Sequence, residues 1–140
     1  MVIRMMIIGM RIAAVDVELV LLPAVAPPFA WRQGLRGSAP EVLDAIAYTS
    51  TKGAVIAFTR DLAVKWARHG IRVNAIAPGW FDTDLSHAVI ERSGETLLAT
   101  IPMRRLGGDT DLAGAVAYLA SPASAYVTGQ TLVVDGGVSA

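Results

Sequence analysis

Tyr48 and Lys52 stand four residues apart, a separation that on a helix puts two side chains on one face with Cβ atoms roughly 5–6 Å apart. An ammonium beside a phenol favours the phenolate and lowers a pKa whose reference is about 10. A phenol tuned towards neutrality can act as general acid or base in an alcohol–ketone interconversion. The plain alternative is a half-exposed tyrosine near an incidental lysine. Three tyrosines and two lysines are spread over 140 residues. Chance supplies such a pair about 0.04 times per chain, so the spacing gains weight wherever its surroundings agree.

Few other residues compete for chemistry. With no cysteine, disulfides, a thiol nucleophile and Cys-ligated zinc are excluded. His69 and His87 are too far apart for a two-histidine metal motif. His69 reads as a helix-end cation and His87 as an exposed helical residue without a role. Asp82 and Asp84 look like a metal pair, but they read better as caps of the helix that follows, and no metal site is expected. By residue type alone, Pro78-Gly79 is a strand-ending turn.

The elements that must position these residues alternate in kind. Ala47 to His69 reads as a long helix ending at Gly70, with Val55, Phe58, Leu62 and Trp66 as its apolar stripe. Ile71 to Ile76 alternates and is β-branched, a strand closed by Pro78-Gly79. Thr110 to Ala120 reads as a helix with Asp109 as N-cap and Ser121-Pro122 as its stop. Thr131 to Val134 is a short apolar strand of the kind buried on both faces of a parallel sheet. In residues 1–33, Ile7-Ile8 and Val15 to Leu22 read either as strands or as a helix starting at Asp16. Pro23, Pro27 and Pro28 then forbid regular structure. Strands alternating with helices indicate an α/β sheet.

Composition narrows the function classes. The chain is 54% hydrophobic and 17% charged, apolar enough to bury a core, so global disorder is excluded. Twelve basic and twelve acidic residues leave a net charge of zero, without the footprint of a nucleic-acid binder. The uncharged run Leu19 to Trp31 holds three prolines and falls short of the about 20 apolar residues of a bilayer span. Ala24-Val25-Ala26 resembles a signal cleavage site, but Arg11, Asp16 and Glu18 interrupt the apolar region before it. A cytoplasmic protein without membrane or nucleic-acid partners is expected.

Tyr48-Thr49-Ser50-Thr51-Lys52-Gly53-Ala54 resembles the Tyr-x-x-x-Lys signature of the short-chain dehydrogenase/reductase family. Arg72 to Gly79, Thr83, Arg105-Leu106-Gly107, Tyr126 to Gln130 and Val133 to Gly137 continue the family's pattern in the family's order. The resemblance runs from Gly34 to Ala140. It implies an NAD- or NADP-dependent oxidoreductase interconverting a small-molecule alcohol and ketone. The fold implied is the C-terminal half of a doubly wound, parallel-sheet Rossmann-like α/β domain. By this resemblance Tyr48 is the proton donor or acceptor. Lys52 lowers its pKa and hydrogen-bonds the nicotinamide ribose, so both line the cofactor site. Pro78 and Gly79 match the turn beside the nicotinamide, Phe81 a position that packs there, and Thr83 one that bonds the cofactor's carboxamide or phosphate. Asp135-Gly136-Gly137 resembles a structural end of the sheet. The final stretch is most similar to relatives acting on sugar acids or 3-oxoacyl groups.

Departures from the pattern set further expectations. Family members run to roughly twice this length, and residues 1–33 do not match them. Neither G-x-x-x-G-x-G nor G-x-G-x-x-G occurs in the sequence, so no glycine turn brings a pyrophosphate to a helix N-terminus. The family's asparagine-rich motif is also absent. Laying the family's serine-bearing strand just before Gly34 puts Trp31 where the serine belongs, and Ser38 lies on the wrong side of the loop. A truncated, inactive chain is therefore expected, or alternatively a non-catalytic interaction or assembly module. A frameshift upstream of Gly34 would account for the abrupt start of the family pattern. Loss of the neighbouring half leaves a bare sheet edge, and a bare edge favours self-association into a homo-oligomer.

Overall fold

The computed structural model describes residues 6–12, 15–21, 46–84 and 86–140, with side chains from residue 50 onward except Val89. The three prolines between residues 23 and 28, Trp31, and the Gly34–Ser38 stretch lie outside the described residues.

The ambiguous N-terminal runs form two strands, β1 (Met6–Ile12) and β2 (Val15–Leu21). Residues 13 and 14 alone join them, too short for anything but an antiparallel return. Their register runs from Met6 opposite Leu21 to Ile12 opposite Val15. The next described element is helix α1 (Ile46–Trp66), extended by a 3₁₀ turn over Ala67–His69 and closed by Gly70 at φ 75°. That left-handed conformation is the one in which glycine ends a helix without steric penalty. Strand β3 (Arg72–Pro78) follows, then helices α2 (His87–Thr100) and α3 (Asp109–Ala120), and strand β4 (Thr131–Val134).

The sheet order is β1-β2-β3-β4. β2 runs parallel to β3, with Val17 opposite Arg72 and Leu21 opposite Ile76, and β4 runs parallel to β3, with Ala75 opposite Thr131. The expectation of a bare sheet edge changes here. The strand beside β3 is Val15–Leu21, upstream of the position at which the family pattern puts Trp31. The aliphatic, proline-free run can pair along its length, whereas prolines cannot donate to a ladder. The sheet is also not parallel throughout, because β1 joins β2 antiparallel and occupies the edge expected to be bare.

β3 is buried along almost its whole length. Val73, Ala75 and Ala77 face α1 and pack with Ala63, Val55, Leu62 and Trp66. On the opposite face Ile76 packs with Leu119, Leu112 and Val116 of α3. The buried line of α1 is Lys52, Ile56, Thr59 and Ala63, whereas Phe58, expected in the apolar stripe, is 44% exposed. At about 3.6 residues per turn, position 58 falls at the margin of the face centred on Thr59. β4 is half-buried throughout, covered on its faces but terminal in the sheet order.

Buried polar groups set the spacing between β3 and the segment leading to β4. Arg72 donates to Ser124 Oγ at 3.0 Å, to the Leu119 carbonyl at 2.8 Å and to the Val127 carbonyl at 3.3 Å. Asn74 donates to the same Val127 carbonyl at 2.9 Å and accepts from the Gln130 amide at 3.0 Å. Gly129 adds a backbone bond to the Val73 carbonyl at 2.7 Å. These bonds satisfy backbone groups that burial would otherwise leave orphaned.

Candidate active site

α1 leads into β3 through the tight turn at Gly70, so helix and strand run antiparallel. From Trp66 back to Lys52 the helix spans roughly 21 Å at about 1.5 Å per residue. From Ile71 to Pro78 the strand spans roughly 23 Å at about 3.3 Å per residue. The first turns of α1, which carry Tyr48 and Lys52, are therefore level with the end of β3, where Pro78, Gly79, Phe81 and Thr83 follow. Lys52 is 5% exposed. Burial pushes its amine below the ordinary lysine value by desolvation. Tyr48 sits one turn earlier on the same helix.

Pro78 is the last residue of β3 rather than part of the turn beyond it. Gly79 continues the ladder, its amide donating to the Val134 carbonyl at 2.8 Å. A Cβ on Gly79 would lie 2.5 Å from Asp135 Cα, closer than real side chains come. Phe81 is buried and forms an isolated parallel bridge with Gly107. Its ring lies where a Cβ on Gly107 would come within 2.4 Å. Thr83 is exposed, just before the start of α2.

The cap expected of Asp82 and Asp84 is absent. Ser86 is the N-cap of α2, and the Thr83 carbonyl accepts from the Ser86 and His87 amides at 2.9 and 2.8 Å. Asp82 instead accepts from His87 Nδ1 at 3.0 Å, on the exposed side, and Glu91 lies 3.4 Å from Nε2. The bond to Asp82, its charge and that of Glu91 raise the His87 pKa above the ordinary value. Asp109 does not cap α3 either. Gly108 is the N-cap, and Asp111 reaches back to accept from its amide at 2.8 Å while pairing with Arg105 at 2.6 and 2.8 Å. The Arg105 guanidinium and the Gly108 amide hold the Asp111 carboxyl well below the usual carboxylate range. A carboxylate three residues into a helix satisfies an N-terminal amide that a cap hydroxyl would otherwise take.

A cavity of about 330 Å³ opens beyond the ends of β3 and β4, lined among others by Trp80, Phe81, Met103 and Gly136. Asp135 shapes its floor by accepting from the Gly137 and Ser139 amides at 2.9 and 3.0 Å and from the Ser139 hydroxyl. Ser86, Gly107 and the Arg105–Asp111 pair position this region through contacts that residue type and spacing do not reveal. The exception is Ser86, a serine three residues after a loop threonine.

Residues 37–139 match the family model described as Enoyl-(Acyl carrier protein) reductase. Galactitol 2-dehydrogenase (L-tagatose-forming) of Cereibacter sphaeroides is 48% identical over 95 residues, 66% of this chain and 37% of that protein. A crystal structure of gluconate 5-dehydrogenase from Burkholderia cenocepacia in complex with NADP and tartrate superposes with a TM-score of 0.71 at 33% identity, covering 89% of this chain and 45% of that one. The chain belongs to the short-chain dehydrogenase/reductase family.

This short-chain dehydrogenase/reductase chain spans less than half the length of the curated relatives it matches. Another family structure, 3-ketoacyl-(acyl-carrier-protein) reductase from Brucella melitensis complexed with NADH, superposes with a TM-score of 0.70 at 34% identity, covering 90% of this chain and 46% of that one. The fold is thus a partial Rossmann-like α/β unit. Among the described residues no helix is long and apolar enough to cross a membrane.

Proposed function

We propose that residues 34–140 form the acid–base half of an NAD(P)-dependent alcohol–ketone oxidoreductase, with residues 1–33 unassigned. The observation that carries this reading is the buried Lys52 on the turn of α1 level with Pro78–Thr83. A partly desolvated cation beside a phenol stabilises the phenolate more than it would in water. Tyr48 then gives its hydroxyl proton to, or takes one from, the substrate oxygen. The nicotinamide cofactor, when bound, supplies or accepts the hydride.

The residues present fit one end of that cofactor. Lys52 and the exposed Thr83 offer polar contacts for the nicotinamide and its ribose, with Pro78 at the end of β3 and the buried Phe81 in the segment that follows it. Gly79 is packed against Asp135, so its lack of a side chain serves the sheet. Nothing in the sequence fits the pyrophosphate end, where a glycine turn belongs. Activity accordingly resides in a longer protein, and the 140-residue chain neither binds NAD(P)H tightly nor turns over.

Relatives named for galactitol, for gluconate and for 3-ketoacyl groups support a small alcohol or ketone of the sugar-acid or 3-oxoacyl class. A cytoplasmic homo-oligomer goes with this reading. The exposed Phe58, Val64 and Tyr126 favour a second reading, a non-catalytic assembly module. Titration of the chain with NADH and NADPH, followed by nicotinamide fluorescence, tests the inactive-chain reading. No saturation is expected in the micromolar range, and saturable micromolar binding would overturn it.

A further inference from the structure

The cavity beyond the ends of β3 and β4 holds about 330 Å³ of space, within the range of small-molecule sites. Its wall includes Trp80, Phe81, Ile101, Met103, Leu106 and Val134. Phe81 and Ile101 are buried, Trp80 is half-buried, and Met103 is 65% exposed at the rim. Among the described residues, neither Lys52 nor Thr83 lines it.

Three charged side chains among the described residues border this space, and each spends its charge inside the protein. Arg105 gives Nη1 and Nη2 to the two Asp111 oxygens at 2.6 and 2.8 Å, and Nη1 also to the Leu106 carbonyl at 3.1 Å. Asp111 accepts the Gly108 amide as well. Asp135 accepts from the Gly137 and Ser139 amides and from the Ser139 hydroxyl. Backbone groups of the wall pair in the same way. The Gly107 amide donates to the Trp80 carbonyl at 2.8 Å, and the Gly136 carbonyl accepts the Met103 amide at 3.2 Å. A wall whose polar groups already pair with one another offers a ligand aromatic rings, aliphatic surface and a thioether. A ligand carboxylate entering it would give up water without meeting a cation free to receive it.

A strained turn holds Met103 at the rim. Arg104 has φ 55°, in the left-handed region that side chains seldom adopt. Its amide donates to the Ile101 carbonyl at 2.8 Å and its guanidinium to the Ala99 carbonyl at 2.9 Å, which ties the turn to the end of α2. Backbone strain of this kind persists where the surroundings over-determine it, and it clusters beside ligand sites.

We propose that this cavity is a binding site for an uncharged, two-ring aromatic molecule, and that the Arg105–Asp111 pair excludes the carboxylate analogue of the same ring system. An apolar cavity of about 150 Å³ is enough for benzene, so roughly twice that space suits two fused rings. Trp80 and Phe81 supply ring contacts, and Met103 a sulfur that adapts to a ring edge. The site shares Trp80 and Phe81 with the segment read as facing the nicotinamide, but it does not depend on that reading, because it uses neither Tyr48 nor Lys52.

NMR titration of the 140-residue chain with indole and, separately, indole-3-carboxylate at neutral pH tests it. Indole should shift the amides of residues 80–81, 103–107 and 133–137 saturably. It should bind at least about tenfold more tightly than the carboxylate. Trp80→Ala should weaken indole at least about fivefold, and Trp80→Phe should restore most of the affinity. Asp111→Asn leaves the Arg105 charge uncompensated and should narrow the preference by strengthening the carboxylate. Met103→Lys, at an exposed position, adds a cation at the mouth and should do the same while leaving the Arg105–Asp111 pair intact. Absence of saturable shifts in the wild type, or shifts centred on other residues, overturns the site. Equal affinity for the two ligands in the wild type overturns the exclusion of charge. Failure of both Asp111→Asn and Met103→Lys to strengthen the carboxylate overturns the role given to the ion pair.

Discussion

Gly79 and Asp135 bring the ends of β3 and β4 together with no room for a side chain between them: a Cβ on Gly79 would lie 2.5 Å from Asp135 Cα and 2.7 Å from its Cβ. Asp135 in turn ties down the last turn of the chain through the Gly137 and Ser139 amides. Because the clash is with backbone, Gly79→Ala must push the strand ends apart. A loss of about 1–3 kcal/mol is expected, of the size seen when a packed core is overfilled. Urea unfolding of the variant checks it, and an unchanged midpoint would show that the two strand ends separate freely.

Arg72 is worth more as a hydrogen-bond donor than as a charge. Its guanidinium is buried, and desolvation lowers its pKa from the ordinary value, while the nearby Tyr118 acts in the opposite sense. Arg72→Lys cannot reproduce the fork that reaches Ser124, Leu119 and Val127. Both Arg72→Lys and Arg72→Ala should cost roughly 2–4 kcal/mol, the latter by leaving carbonyl acceptors unpaired. Thermal unfolding of the two variants measures this, with Arg72→Lys expected to recover little of what Arg72→Ala loses.

His87 should titrate above 6.5 in the folded chain, held up first by its bond to Asp82. A raised folded pKa means that the clasp adds stability below the unfolded value and loses it as pH rises through the folded pKa. The window therefore opens above about pH 6.5. NMR titration of the imidazole should show a larger downward shift in Asp82→Asn than in Glu91→Gln. A His87 pKa unmoved by Asp82→Asn would show that the pair does not form in solution.

Self-association should involve the outer face of α1, where Phe58 is 44% and Val64 81% exposed. Apolar side chains left open on an element of the core favour burial against another copy. Light scattering over a dilution series should report species above 14.7 kDa. The double variant Phe58→Glu, Val64→Glu should shift the distribution towards that monomer mass. If the wild type stays at the monomer mass at every concentration, the expectation of a homo-oligomer fails.

Local signals were legible wherever a residue's own chemistry sets the backbone. Gly70 ends its helix in the left-handed conformation, the strand Thr131–Val134 lies where the apolar run placed it, and β3 forms over the β-branched run, although both of its faces are buried. The spacing of Tyr48 and Lys52 likewise puts them one turn apart on one helix. Tertiary structure decided whatever depends on partners distant in sequence. It chose strand over helix for Val15–Leu21, because that run pairs in parallel with β3, and pairing is what periodicity alone does not show. It turned β1 antiparallel through a two-residue return. It turned Phe58 outward, since the face of α1 that packs is set by the small residues of β3 beneath it. It also gave the helix-capping expected of Asp82 and Asp109 to Ser86 and Gly108, because a cap is settled by the angle at which the preceding loop arrives. Gly79 shows the division most directly: its type marks a turn in the sequence, and only the approach of Asp135 from β4 explains why no other residue fits.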